Sequence, residues 1–173
     1  MRTRLLRTVR EATIVASAAA LLSAFLPQVL GSGPDPETLA ARTACERVKA
    51  AIEQFSRDTG TNPNQASGNA GVEWLVGPGA VPFNFSLEST PTLELARLLG
   101  EDTVEGLKGY AGPYLMFGGA DSWGRSILAH VGAVSAPGRV WVLSAGPNGL
   151  LETLPGAEET GGDDVGVLLD LGL

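Results

Sequence analysis

The chain has 173 residues, with 12 basic and 19 acidic side chains and a net charge of -7. Beyond residue 11 the balance is 8 basic to 18 acidic, which disfavours nucleic acid and anionic lipid as partners and suits divalent cations or basic partners. One cysteine, Cys45, excludes an intrachain disulfide, and one histidine, His130, offers neither a Ser/His/Asp set nor a Cys/His zinc spacing.

Arg2, Arg4, Arg7 and Arg10 lead to Glu11 and then to Ala12–Leu30, nineteen uncharged residues with Pro27 near the end. As a helix this run spans about 28 Å, roughly the hydrocarbon thickness of a bilayer. Arginines on one flank only predict a cytoplasmic N-terminus and an exported remainder. The residues after Ser23-Ala24 are bulky (Phe25, Leu26, Pro27), so a retained anchor fits better than a cleaved signal peptide. The expected domains are therefore residues 1–33, a basic leader and membrane stem, and residues 34–173, one extracytoplasmic head.

Gly31-Ser32-Gly33-Pro34 punctuates the chain. Asp35 then suits an N-cap, Pro36 a first helical position and Glu37 the helix dipole. A helix is expected from about Pro36 to Arg57, with Ala41, Cys45, Val48, Ile52 and Phe55 as one apolar stripe and Gly60 as its stop. Thr61–Gly71 reads as loop, Val72–Val76 as a short helical turn, and Thr92–Leu99 as a second helix capped by Thr90-Pro91. Beyond Gly109 the chain turns β-rich. Ser126–Val134 and Arg139–Ser144 read as a hairpin, and Val165–Leu171 as a third strand. His130 sits within the first of these strands and reads as a strand residue rather than a base.

The segment with chemical potential is Gly146–Asp164, GPNGLLETLPGAEETGGDD. It gathers Asn148, Glu152, Glu158, Glu159, Asp163 and Asp164 among glycines. Hard cations take carboxylate and carbonyl oxygens of this kind, although the spacing is not that of an EF-hand. A solvated acidic loop is the alternative.

Taken in order, these features resemble the major pseudopilin of type II secretion systems and the wider type IV pilin-like family. The resemblance runs from Glu11 to about Asp170. Glu11 opens the apolar helix and Pro27 lies late in it. Phe55-Ser56-Arg57-Asp58-Thr59-Gly60-Thr61-Asn62-Pro63 matches an aromatic-x-x-D-x-G-x-x-P stretch, and Gly71-Val72-Glu73-Trp74-Leu75-Val76 a G-x-E-x-L-V turn. Gly112-Pro113-Tyr114-Leu115 and Asp121-Ser122-Trp123-Gly124 match a GPYL/D-P-W-G pair. Ser144-Ala145-Gly146-Pro147-Asn148-Gly149 and Gly162-Asp163-Asp164-Val165 match the closing S-x-G-x-D-G and G-x-D-D-[IV] segments, with Asn148 where the family has an aspartate. The family's prepilin cleavage glycine and phenylalanine have no counterpart before Glu11.

The resemblance implies an α+β, pilin-like fold: a long N-terminal helix, half membrane stem and half amphipathic, packed on a C-terminal antiparallel sheet of about three strands. It implies a non-enzymatic subunit that polymerises through that helix with copies of itself and other pseudopilins. The subunit would sit in the bacterial inner membrane, cross it once and place its head in the periplasm. By motif, Glu11 takes the assembly role, and Asn148, Asp163 and Asp164 fall in a calcium loop. The competing expectation is an anchored or released periplasmic binding module that reuses the head without building a filament.

Overall fold

Two prolines set where the first helix begins. Pro34 and Pro36 each lack an amide hydrogen, so neither can continue an α-helical ladder arriving from upstream. A computed structural model describes residues 34–64, 71–100, 107–116, 120–132 and 139–169. In it helix α1 runs Pro36–Thr59. Ala41, Cys45, Val48, Ile52 and Phe55 are all buried, with Ala51 beside them. The helix ends where Gly60 adopts φ 64° and donates its amide to the Ser56 carbonyl at 2.9 Å, a left-handed stop that favours glycine.

The other elements are β1 (Trp74–Val76), β2 (Thr92–Glu94), α2 (Leu95–Leu99), β3 (Leu128–His130), β4 (Val140–Ser144) and β5 (Val165–Leu169). They form one five-stranded sheet in the order β2-β1-β3-β4-β5. β1 and β2 are parallel, and the remaining neighbours are antiparallel. Helix α1 lies over β4 and β5, where Val48, Ile52 and Phe55 meet Val140, Val142, Val167 and Leu169. A smaller cluster of Trp74, Val76 and Leu128 is flanked by Val81, Phe85 and Leu151.

This architecture corrects the expected fold. The described helix is 24 residues long, and the sheet has five strands of mixed direction. It is not a long N-terminal helix on a three-stranded antiparallel sheet. The added strands come from Val72–Val76, expected as a helical turn, and from the start of Thr92–Leu99, expected as helix. Each is only three residues long, too short to show the alternation that marks a strand. What fixes them is pairing between Trp74 and Thr92 and between Trp74 and His130, partners far apart in sequence. Only Leu95–Leu99 of the second segment is helical. The expected stem, Ala12–Leu30, and Glu11 lie outside the described residues. Among the described residues no helix is long and apolar enough to cross a membrane.

Cys45 is fully buried. Its thiol is pushed up to about 12, first by burial and then by the charges of Asp121 and Glu46, and it points at the Val165 carbonyl, 3.6 Å away. Such a thiol is chemically inert at neutral pH.

Candidate cation-binding loop

The loop from Gly146 to Asp164 leaves β4 and returns as β5, so both ends are anchored in adjacent strands. Its entry is held from across the molecule. Arg125 donates from Nη1 to the Gly146 carbonyl and from Nη2 to the Pro147 carbonyl, the latter at 3.1 Å. Asp121 Oδ1 accepts the amides of Trp123 and Arg125 at 2.9 and 2.8 Å, while its Oδ2 accepts the Ser144 hydroxyl. The D-S-W-G segment thereby orients Arg125 and ties the end of β4. It also reaches helix α1. Trp123 Nε1 donates to the Glu37 carboxylate at 2.9 Å, and the Ser122 hydroxyl donates to the Glu37 carbonyl at 2.6 Å.

Inside the loop, Asn148 and Asp163 meet beside Glu152. Asp163 Oδ2 accepts the Asn148 amide at 3.1 Å. Asn148 Nδ2 donates to Glu152 Oε2 at 2.8 Å, and the same carboxylate oxygen accepts the Asp163 amide at 3.3 Å. Asn148 Oδ1 turns back to accept the Leu150 amide at 2.6 Å. Asp164 faces inward. Its Oδ2 accepts the amides of Glu152 and Thr153 at 2.9 and 2.6 Å. The glycines are needed for this closeness. Gly146 has φ 55°, and a Cβ there would stand 2.2 Å from the Asp163 carbonyl oxygen. Glu158 and Glu159, by contrast, are both exposed on the outer turn.

Two oxygens are left over. Asp163 Oδ1 and Asp164 Oδ1 are buried and have no hydrogen-bond partner. A buried carboxylate oxygen without a donor is costly, by about 1–3 kcal/mol or more for a charged group. The Asp164 carboxyl responds with a pKa raised above its ordinary 3.8. Burial is the largest cause and the Glu152 charge adds to it, against the hydrogen bonds from Thr153 and Glu152. Hard carboxylate oxygens that lack a donor are the kind of ligand a divalent cation such as calcium takes. Among the described residues, no three His, Cys, Asp or Glu side chains are gathered tightly enough to hold a metal by themselves. Asn148 and main-chain carbonyls would have to complete the set.

The raised pKa has a testable sign. A carboxyl that holds its proton more tightly when folded stabilises the fold below its unfolded pKa, near 3.8. That contribution is lost as pH rises through the folded pKa. In divalent-free buffer Asp164→Asn, which cannot ionise, should therefore gain melting temperature relative to wild type as pH rises from acid to neutral. A gap independent of pH between the two melting curves contradicts the shift.

Glu152 and Arg125 are the members that the sequence reading did not single out. Glu152 was one acid among several in the loop, and Arg125 had no signal beyond its place after the D-S-W-G segment. His130 is half-buried on β3, its ring 4.5 Å from that of Trp74 and its Nδ1 without a partner. Burial lowers its pKa, against the nearby Glu73. No protein-family model, curated protein or solved structure matches the chain.

Proposed function

We propose that the chain is a non-enzymatic, pseudopilin-like subunit of a type II secretion or related pilus-like machine. It stands in the bacterial inner membrane on residues 12–30, with the head in the periplasm and Glu11 serving assembly. The observation that carries the reading is the pair of buried, donorless oxygens on Asp163 and Asp164. They lie in the loop where the resemblance implies calcium. Bound calcium would supply the positive charge these oxygens lack. Asp163 and Asp164 would hold it, with Asn148 and main-chain carbonyls completing the set.

The motif segments support the reading by what they brace. The D-S-W-G segment grips the start of α1 through Glu37. The G-P-Y-L segment grips its far end: the Tyr114 ring lies 6.0 Å from that of Phe55, and the amides of Tyr114 and Leu115 bond the Leu99 carbonyl. A helix tied at both ends to the sheet transmits force arriving from a stem without rotating on its apolar face.

In-cell crosslinking tests the assembly. The full chain should give a ladder of multimers that disappears when residues 12–30 are replaced by a cleavable leader, and that weakens sharply in Glu11→Ala. A monomer band alone, under conditions that crosslink a known membrane oligomer, contradicts the proposal.

A further inference from the structure

β5 is the last strand of the sheet, and among the described residues nothing pairs with its outer edge. An open edge is a template for another strand, and proteins usually blunt it with charge, proline or a bulge. Val165–Leu169, VGVLL, carries none of these. Beside the edge runs a groove of about 570 Å³, walled by Arg42, Glu46, Lys49 and Glu53 of α1 and floored by Gly166–Leu168. The four charges form one row along the helix, in the order plus, minus, plus, minus. They are paired within the chain: Arg42–Glu46 at 3.6 Å and Lys49–Glu53 at 3.5 Å.

From this geometry we infer that the β5 edge is a docking surface for a second copy of the same head. The two β5 strands join antiparallel about a two-fold axis at Gly166. The row of charges argues for self-recognition. Reversed by a two-fold, it sets Arg42 against Glu53 of the second copy and Glu46 against its Lys49, so that all four facing pairs are opposite in sign. The axis also falls at the right level. Cys45 Sγ lies beside the Val165 carbonyl. The start of α1 is tied through Trp123 and Asp121 to Ser144, the residue paired with Val165, so helix and strand run the same way. One strand step, about 3.3 Å, equals about two helix residues at 1.5 Å each. Gly166 therefore stands level with residue 47, between Glu46 and Lys49, at the middle of the row. At that register Asp164 meets Leu168 of the second copy rather than another acid. A two-fold perpendicular to the sheet leaves both helices on one face, side by side and antiparallel, at roughly the 8–10 Å of packed helices. The interface is isologous and small, so the dimer is weak and depends on concentration. It uses no stem residue, and because it sets the two α1 helices antiparallel it is not a contact between neighbours stacked through parallel stems.

The test uses the full chain in detergent micelles, read by sedimentation and by hydrogen exchange at residues 165–169. Wild type should show a dimer, with β5 amides that exchange more slowly as protein concentration rises. Lys49→Glu faces Glu46 of the second copy with a like charge twice per dimer, and should weaken association about tenfold or more. Adding Glu46→Lys to it restores opposite signs at every position, and should bring affinity back to within about threefold of wild type. Unchanged tryptophan fluorescence melting in both variants shows that the fold is retained. Association that ignores Lys49→Glu while β5 exchange stays independent of concentration overturns the inference and assigns the association to the stem. A wild-type monomer at all concentrations, or a double variant as weak as the single one, also overturns it.

Discussion

Chelating calcium with EGTA is expected to lower the melting temperature of the head by about 8 °C. A ligand present at a hundredfold excess over its dissociation constant stabilises the fold by about 2.7 kcal/mol, and each kcal/mol shifts melting by about 3 °C in a domain of this size. The effect should be local in origin. Without a cation, Asp163 Oδ1 and Asp164 Oδ1 remain buried without donors. With one, each would gain a positive partner. All three tryptophans (Trp74, Trp123 and Trp141) lie in the head, so fluorescence reads this transition in the full chain. Trp141 is the closest reporter, since its indole N–H donates to the Ala157 carbonyl of the loop at 2.8 Å. A variant carrying Asp163→Asn and Asp164→Asn keeps the shapes of both side chains and the acceptor oxygens that bind the Asn148, Glu152 and Thr153 amides. It should melt alike with and without EGTA. Equal melting of wild type in calcium and in EGTA removes the metal from the proposal.

Phe55→Ala should destabilise the head by about 4 kcal/mol, enough to lower melting by more than 10 °C or to abolish a cooperative transition. The ring is fully buried on α1. It packs edge-on against Tyr110 at 6.2 Å and Tyr114 at 6.0 Å, and those two rings are 5.0 Å apart. Truncation therefore opens a cavity and also strips the G-P-Y-L segment of the surface that holds it on the helix. Met116→Ala supplies the contrast. Met116 lies just past the same segment but is 84% exposed, and its loss should change stability by no more than about 0.5 kcal/mol. Similar losses in the two variants, measured by urea denaturation, would contradict the packing described for Phe55.

What could be read from the sequence follows the range of the forces involved. The stripe from Ala41 to Phe55 was legible because a helix repeats every 3.6 residues and records its buried face in local order. β4 and β5 were legible from their β-branched and aromatic content. β1 and β2 were not. Trp74–Val76 is buried at every position, so it lacks the alternation of a half-exposed strand, and its partners lie at Thr92 and His130. The Thr90-Pro91 pair suggested a helix start, but the chain spends Thr92–Glu94 in the sheet before turning helical at Leu95. In the loop, composition marked Asn148, Glu152, Glu158, Glu159, Asp163 and Asp164 together, and only the resemblance set Asn148, Asp163 and Asp164 apart. The contributions of Glu152 and Arg125 were hidden. Glu152 acts by folding back on Asn148 and Asp163. Arg125 acts on carbonyls about twenty residues ahead of it, at Gly146 and Pro147.

The reading of the whole molecule depends on residues 12–30 remaining attached to the head. Sequencing the N-terminus of the protein recovered from cells, fraction by fraction, addresses this most directly. Membrane-bound protein that begins at Met1 or Arg7 is the expected result. Protein that begins after residue 24 or 33 and partitions with the soluble fraction would contradict the proposed function.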